Sequence, residues 1–230
     1  MKKIVIIGAN DFQNQLILKA KEMGFETHVF AWQDGSIGER TADYFYPVSI
    51  VEIDEILEKC KEIKPDAVAT IASDLANITV SKVAAGLGLP GNTPECIEIS
   101  TNKYAMRSAF LKAGIPTPAF YKVDQVQDEL YKMKLPVIVK PTDRSGSRAI
   151  TKITDFKDLE GAIQDAVEQS FEKKAIVEEY IEGNEYSYET ISYRGKHTNL
   201  AVTKKYTTGA PHFIETGHCE PSDLSKETLE

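Results

Sequence analysis

A chain of 230 residues with 42% hydrophobic and 27% charged residues is long enough to bury a core without disulfides or a structural metal. Its formal net charge of -8 argues against nucleic-acid binding, because a phosphate backbone needs a basic protein face. Cys60, Cys96 and Cys219 are far apart and form no CxxC pair, which argues against a disulfide framework or a zinc site. No stretch approaches the roughly 18 apolar residues of a membrane helix. We therefore expect a folded, cytoplasmic protein with no nucleic-acid or membrane partner.

The first ninety residues alternate apolar, β-branched runs with stretches of helical periodicity. Strands are predicted at residues 3–7, 27–31 and 66–71, and helical stretches end near Met23, Ile63 and Ala85. This alternation is typical of a parallel, doubly wound sheet. The turn Gly8-Ala9-Asn10-Asp11 lacks the GxGxxG pattern and is only a weak dinucleotide signal. Ser73 follows the third strand, where it either faces a ligand or, more simply, caps the next helix.

A second, α+β part is predicted from about residue 95. Its first helix contains Lys103, ends near Ala113 and has Ser100 or Thr101 as its N-cap. Later strands are predicted from Phe120 and at residues 137–140, 149–153 and 175–180, with helices before residue 137 and at 156–167. Two alternating runs, 186–193 and 196–203, flank Arg194-Gly195, a pair typical of a β-hairpin turn.

The most informative segment reads LPVIVKPTDRSGSR at residues 135–148. A buried strand ends at Lys140, and Pro141 opens a Gly/Ser loop at residues 142–148. The backbone N–H groups of such a loop can bind phosphate oxygens, while Lys140 supplies a positive charge. The P-loop pattern GxxxxGK[ST] is absent. On this segment alone, a solvated lysine before a surface turn remains the simpler interpretation.

Two further segments change that balance. Asn102-Lys103 opens a helix that is followed by AGIPTP at residues 113–118, and VEEYIEGNEYSYE occupies residues 177–189. Together with the Lys140 segment, and in this order, they resemble the ATP-grasp family in its branch near carbamoyl-phosphate synthase large subunits and biotin carboxylase. The resemblance implies an α/β fold in four parts: a pre-ATP-grasp, Rossmann-like domain at 1–94, a connecting helix at 95–118, a first ATP-grasp lobe at 119–178, and the start of a second lobe at 179–230.

The resemblance also implies an activity. ATP-grasp ligases use ATP and Mg²⁺ to activate a carboxylate as an acyl phosphate, which an amine or related nucleophile then attacks. Positively charged side chains and fixed N–H donors suit this chemistry because they stabilise the charge of the phosphates. The expected partners are ATP, a small carboxylate and a nucleophile, and bicarbonate is one candidate for the carboxylate.

Nucleotide-binding roles follow from the resemblance residue by residue. Lys103 and Lys140 would bind the phosphates beneath a mobile cover that contains Ser145, Gly146 and Ser147. The adenosine would contact one stretch of the chain, with Glu178 on the exocyclic amine, Glu185 on the ribose hydroxyls, and the backbone of Glu179, Tyr180 and Ile181 along the ring. Taken singly, each of these charged residues equally suits a solvated surface position.

Arg148 and His218 are the candidate catalytic residues, as contacts to phosphate or substrate. His218 closes the stretch at residues 203–218, which resembles the family segment that precedes the metal ligands. A lone loop histidine is more often simply solvated, and Arg148 and Lys204 could likewise be surface cations.

The sequence departs from the family at its end. The resemblance implies an acidic residue and a Glu-x-Asn pair that hold two Mg²⁺ ions, yet the sequence stops at Glu230 without them. Asp223 and Glu227 do not match that context, and we assign no metal ligand. We therefore expect an ATP-grasp domain that is incomplete at its C-terminus. A boundary imposed on a longer protein, a partner chain or homodimer that completes the site, an inactive nucleotide-binding module, and an NAD-dependent oxidoreductase built on the first domain remain open.

Overall fold

The computed structural model describes residues 1–210 and 213–229. The chain divides into two compact units, Met1–Thr101 (unit 1) and Asn102–Glu230 (unit 2). Among the described residues, no helix is long and apolar enough to cross a membrane.

Unit 1 contains a four-stranded parallel sheet in the order β3-β2-β1-β4. Its strands are β1 Lys2–Ile7, β2 Phe25–Phe30, β3 Tyr44–Tyr46 and β4 Ala67–Ala69. The chain moves outward from β1 to β3 and then returns to the other side of β1. This order is the doubly wound topology that the alternating sequence pattern predicts.

Five helices connect and cover these strands: α1 Asp11–Glu22, α2 Ile37–Thr41, α3 Ile53–Ile63, α4 Asp74–Gly86 and α5 Pro94–Thr101. Successive residues of β1 point to opposite faces of the sheet, and both faces are buried. Val5 packs with Ile56 of α3, whereas Ile6 packs with Ile17 of α1. The Ser73 side chain accepts a hydrogen bond from the Ala76 N–H at 3.2 Å, so Ser73 is the N-cap of α4, the simpler of its two interpretations.

Unit 2 begins with α6 Lys103–Lys112 and contains a four-stranded antiparallel sheet in the order β5-β8-β6-β7. Its strands are β5 Phe120–Val123, β6 Val137–Pro141, β7 Thr151–Ile153 and β8 Ala175–Glu179. Helix α7 Leu159–Gln169 covers one face of this sheet, where Val139 and Val177 pack with Ile163. Side-chain alternation therefore directs Lys140 and Glu178 to the opposite face.

The helix that the sequence predicts between β5 and β6 is only a short 3-10 helix, Asp128–Lys132, and a second 3-10 turn, Phe156–Asp158, precedes α7. A three-stranded antiparallel sheet follows, in the order β11-β10-β9, with β9 Glu185–Tyr193, β10 Lys196–Thr207 and β11 Glu215–Cys219, and then α8 Lys226–Leu229. Arg194 and Gly195 have φ of 50° and 75°, as a two-residue hairpin turn requires, which confirms the predicted hairpin.

Candidate functional site

The first turn of α6 is held by Asn102. This residue is the N-cap, and its side-chain oxygen accepts hydrogen bonds from the N–H groups of Tyr104 and Ala105, both at 3.0 Å. The prediction that Ser100 or Thr101 caps this helix is wrong, because both residues belong to α5, the preceding helix. Asn102 has the extended backbone that an N-cap needs and an amide side chain that can reach the exposed N–H groups.

Both predicted phosphate-binding lysines lie near the start of the Gly/Ser loop. The backbone N–H of Lys103 donates to the Thr142 oxygen at 2.7 Å, and its ammonium donates to the backbone oxygen of Arg144. Lys140 is the penultimate residue of β6, just before the loop, and its Nζ pairs with Glu178 Oε2. The fold therefore brings the two lysines and residues 142–148 into one region of unit 2.

Glu178 lies at the centre of a small ionic cluster. It is only 3% exposed, and its Oε1 accepts from Arg107 Nε at 2.5 Å while Oε2 pairs with Lys140. Burial acts to raise the pKa of this carboxyl group, but attraction to Lys140 and the hydrogen bond from Arg107 outweigh burial and lower the pKa below its ordinary value of 4.5. Glu178 is therefore ionised at neutral pH.

Arg107 is a member of this cluster that the sequence analysis missed. It lies four residues after Lys103, so both side chains project from the same face of α6. That spacing is the signal that points to Arg107 once Lys103 has been identified. Its partner Glu178 is 71 residues away in sequence, and only the tertiary structure shows the pair.

The Gly/Ser loop has an unusual backbone. Gly146, Ser147 and Ala149 have positive φ values of 73°, 54° and 48°, a region that side chains other than glycine rarely occupy. The Ser147 hydroxyl donates to the backbone oxygen of Phe213 at 3.0 Å, whereas Ser145 is exposed. Arg148 is also exposed and forms no hydrogen bond or ion pair with the described residues. The structure thus does not bring Arg148 to the ionic cluster.

The predicted adenine-binding stretch continues from β8. The N–H of Glu179 donates to the Ala119 oxygen at 2.9 Å, and that of Tyr180 donates to the Pro136 oxygen at 3.2 Å. These two N–H groups are thus engaged by the protein itself. Ile181 follows the strand with 62% of its surface exposed, and its N–H donates to none of the residues in the described ranges. Of the three backbone N–H groups, that of Ile181 is the one open to a ligand.

Glu185 and His218 belong to one row of polar side chains across the three-stranded sheet. Lys205 Nζ lies 3.1 Å from Glu215 Oε2 and 3.8 Å from Glu185 Oε2. His218 Nε2 lies 3.3 Å from the other oxygen of Glu215. Lys205 and Glu215 therefore connect the two predicted residues, and the sequence analysis had assigned them no role. Within the predicted stretch at 203–218, Pro211 and His212 lie outside the described residues.

Asp223 has a partner that argues for a structural role. Its two oxygens accept from Lys204 Nζ at 2.6 Å and from the Tyr186 hydroxyl at 2.8 Å. The hydrogen bond from Lys204 lowers the pKa of Asp223, and the one from Tyr186 acts in the same direction.

Within residues 1–210 and 213–229, no three His, Cys, Asp or Glu side chains are grouped so that they could hold a metal ion.

The chain is similar to several proteins of known sequence or structure. Residues 133–230 match the sequence profile described as the ATP-grasp domain. A 3-methyl-D-ornithine–L-lysine ligase of Methanosarcina barkeri is 28% identical over 222 residues, which cover 95% of this chain and 54% of that protein. The crystal structure of an L-amino acid ligase from Bacillus licheniformis has 25% identity and a TM-score of 0.85, and the match covers 100% of this chain and 57% of that one.

A third match bears on the fold alone. The biotin carboxylase domain of a 2-oxoglutarate carboxylase from Hydrogenobacter thermophilus has 19% identity and a TM-score of 0.82, over 99% of this chain and 55% of its own. That domain was solved with MgADP, ADP and bicarbonate. The chain therefore spans about half the length of each of these three proteins.

Proposed function

We propose that unit 2, which contains the residues 133–230 that match the domain of the ATP-grasp superfamily, binds ATP at Lys103, Lys140 and the loop of residues 142–148. The protein of which this sequence forms all or part would use that ATP to activate a carboxylate as an acyl phosphate, and an amine would attack it. ATP and Mg²⁺ are the cofactors of this superfamily, and the matched biotin carboxylase domain carries MgADP.

The ionic cluster around Glu178 carries the proposal. Arg107 and Lys140 are two cations that share the carboxylate of Glu178. Two cations on one carboxylate, next to a loop whose backbone N–H groups can donate, suit a polyphosphate better than they suit a neutral ligand. A purely structural ion pair would need only one cation for one carboxylate.

Adenosine would lie along the end of β8. In this proposal the Ile181 N–H, which the protein itself leaves without an acceptor in the described region, donates to the adenine ring. Glu178 would accept from the exocyclic amine through a lone pair that its two cations do not occupy. Glu185 would hold the ribose hydroxyls in exchange for its long contact to Lys205.

The identity of the substrates is a more specific proposal than ATP binding. Two of the matched proteins carry amino acids in their names, which supports an amino acid as the activated carboxylate or as the attacking amine. A carbamoyl-phosphate synthase-like reaction would instead activate bicarbonate. The two differ in a simple observation, since ATP turnover would depend on pairs of amino acids in the first case and on bicarbonate with ammonia in the second.

The described residues would act mainly by position and charge. The lysines would neutralise the phosphates, and the loop amides would donate to phosphate oxygens as the loop closes and excludes water. Mg²⁺, when bound, would neutralise part of the phosphate charge. The residues of the described ranges do not supply a ligand set for it, so we derive no step through the metal. Arg148 and His218 remain candidates for substrate contact, one on the loop and the other in the row at Glu215.

Thermal unfolding with Mg-ATP, Mg-ADP or NAD tests the proposal. A ligand at 100 times its dissociation constant stabilises the folded state by about 2.7 kcal/mol. We expect stabilisation by the adenine nucleotides that Lys140→Ala removes and that Lys122→Ala retains. Lys122 is a suitable control because its ammonium lies over the Tyr104 ring at 4.7 Å, on the same side of the sheet.

Each outcome discriminates between the alternatives. Nucleotide binding without turnover in the presence of any amino-acid or bicarbonate pair would favour an inactive nucleotide-binding module. Stabilisation by NAD alone would favour the oxidoreductase alternative. Absence of any response to ATP or ADP would contradict the proposed site.

A further inference from the structure

We infer that Arg107 is a positioning residue for nucleotide binding: it holds one oxygen of Glu178, so that Glu178 holds Lys140 through the other oxygen and leaves the ammonium available to a phosphate. This inference rests on the proposed function, because it concerns how the same site is arranged. Arg107 is absent from the residues that the sequence motifs assign to ATP.

The helix that carries Arg107 is fixed at its start. The Asn102 amide donates to Glu172 at 2.9 Å, and the backbone N–H of Lys103 donates to the Thr142 oxygen. One residue further, the Tyr104 ring meets the Phe120 ring edge-on, with centroids 5.6 Å apart. Arg107 therefore projects from a helix whose first turn is anchored to the loop and to β5.

The register of the sheet explains why Arg107 and Lys140 reach one carboxylate. Phe120 and Ile138 lie opposite Glu178 on the two neighbouring strands, so Lys140 is its diagonal neighbour on the same face. Helix α6 covers that face at β5, since Tyr104 packs on Phe120. Arg107 and Lys140 thus approach Glu178 from different sides and bind different oxygens.

The exposed fractions of the three side chains indicate that Glu178 lies beneath its two cations. The side chain of Glu178 is 4% exposed, whereas those of Lys140 and Arg107 are 18% and 27% exposed. An approaching anion would meet the two cations before the carboxylate. The carboxylate is therefore placed to orient the two cations, and the cations are placed to meet a phosphate.

Charge balance explains why two cations are needed. A buried carboxylate with a single cationic partner would draw that partner into a closed pair, because unpaired buried charge is strongly disfavoured. With Arg107 in place, Glu178 is satisfied on one side, and Lys140 can be shared with a phosphate. Without Arg107, binding of phosphate by Lys140 would deprive Glu178 of the one cation that remains to it among the described residues.

Binding of Mg-ADP to the purified chain, measured by calorimetry, tests this coupling. We expect Arg107→Met to weaken ADP binding about tenfold, which corresponds to about 1.4 kcal/mol. In the Glu178→Gln background the same change should have little further effect, because residues that act through one another are not additive. Lys122→Met removes an equal charge from the same face and should leave the affinity unchanged.

A second measurement does not depend on nucleotide. Competitive acetylation of lysines by acetic anhydride, followed by mass spectrometry, reports how firmly Glu178 holds Lys140. We expect Arg107→Met to slow acetylation of Lys140 relative to Lys122, and Arg107→Met combined with Glu178→Gln to accelerate it. If Arg107→Met does not fold, Arg107→Lys provides the comparison, with an intermediate acetylation rate.

The outcomes are separable. An equal loss of ADP affinity from Arg107→Met in both backgrounds would show that Arg107 contacts the nucleotide itself and would overturn the inference. An unchanged acetylation rate of Lys140 would overturn it as well. Failure of the unaltered chain to bind ADP would count against the proposed function, while the acetylation result would still decide whether Arg107 controls Lys140.

Discussion

The backbone N–H of Lys103 donates a 2.7 Å hydrogen bond to the carbonyl oxygen of Thr142, which joins the start of α6 to the start of the Gly/Ser loop. A change in the first turn of α6 should therefore be felt in the loop. Asn102 provides the cleanest such change, because its side chain caps the helix and also binds Glu172.

Asn102→Ala should lower the free energy of unfolding by about 1 kcal/mol, the usual effect of losing an N-cap side chain. It should also weaken Mg-ADP binding, since Lys103 lies in the affected turn. Asn10→Ala is the matched control, because Asn10 caps α1 in unit 1 in the same way. Urea unfolding and calorimetry of both variants would check this, and equal effects on ADP binding would contradict it.

Acid should remove the contribution of Glu178 to stability. Its folded pKa lies below the ordinary 4.5, so the stabilising contribution is present above that value and is lost as the pH falls through the folded pKa. Glu178→Gln should therefore flatten the decline of the melting temperature at acidic pH. Glu185→Gln, at an exposed glutamate of the same unit, should follow the unaltered chain. A decline of the same steepness in Glu178→Gln would refute this assignment.

Asp43 should titrate well below a normal aspartate. Hydrogen bonds from Lys21 at 2.7 Å and from the Thr27 N–H at 2.9 Å lower its pKa from 3.8 to about 2. Its stabilisation is present above pH 3.8 and is lost as the pH falls through about 2. Because the pair is partly exposed, Asp43→Asn should cost only about 1 kcal/mol at neutral pH. An NMR titration of the carboxyl carbon would check it, and a midpoint near 3.8 would disprove it.

The three cysteines should differ in reactivity. Burial raises the pKa of the Cys60 thiol to about 12, whereas Cys96 and Cys219 are exposed. Thiolate is the reactive form, so a disulfide reagent at pH 8 should modify Cys96 and Cys219 first and Cys60 only after denaturant is added. Rapid reaction of all three thiols in the native protein would show that the core around Cys60 opens readily.

Much of the fold follows from local pattern. The alternation of apolar runs and helical periods predicts the parallel sheet of unit 1, and Arg194-Gly195 predicts the hairpin, as the structure confirms. The sequence predicts one connecting helix at 95–118, whereas the structure has two, α5 and α6, because Asn102 has an extended backbone and caps the second helix. Strand β11 is not predicted from the sequence because pairing with β10 stabilises it more than the strand propensity of its own residues does.

The candidate site is only partly predictable from local pattern. Lys103, Lys140 and Glu178 are predicted because they lie in recognisable motifs, and residues 133–230 match the ATP-grasp domain. Arg107 and Lys205 lie outside those motifs, and their roles arise from contacts across strands and helices that are distant in sequence. The individual nucleotide-binding roles remain predictions, since contacts to a ligand depend on atoms that the chain alone does not supply.

The five residues of β8 alternate between two faces, with Val177 in the core and Glu178 in the ionic cluster. Mutations at neighbouring positions of this strand should thus cause different defects in the protein. Truncation of Val177 would mainly reduce the amount of folded protein in a cell, whereas neutralisation of Glu178 would reduce stability and also weaken ligand binding by the protein that does fold. A mutational scan that records abundance and binding separately should therefore show the binding defect at alternate positions of this strand.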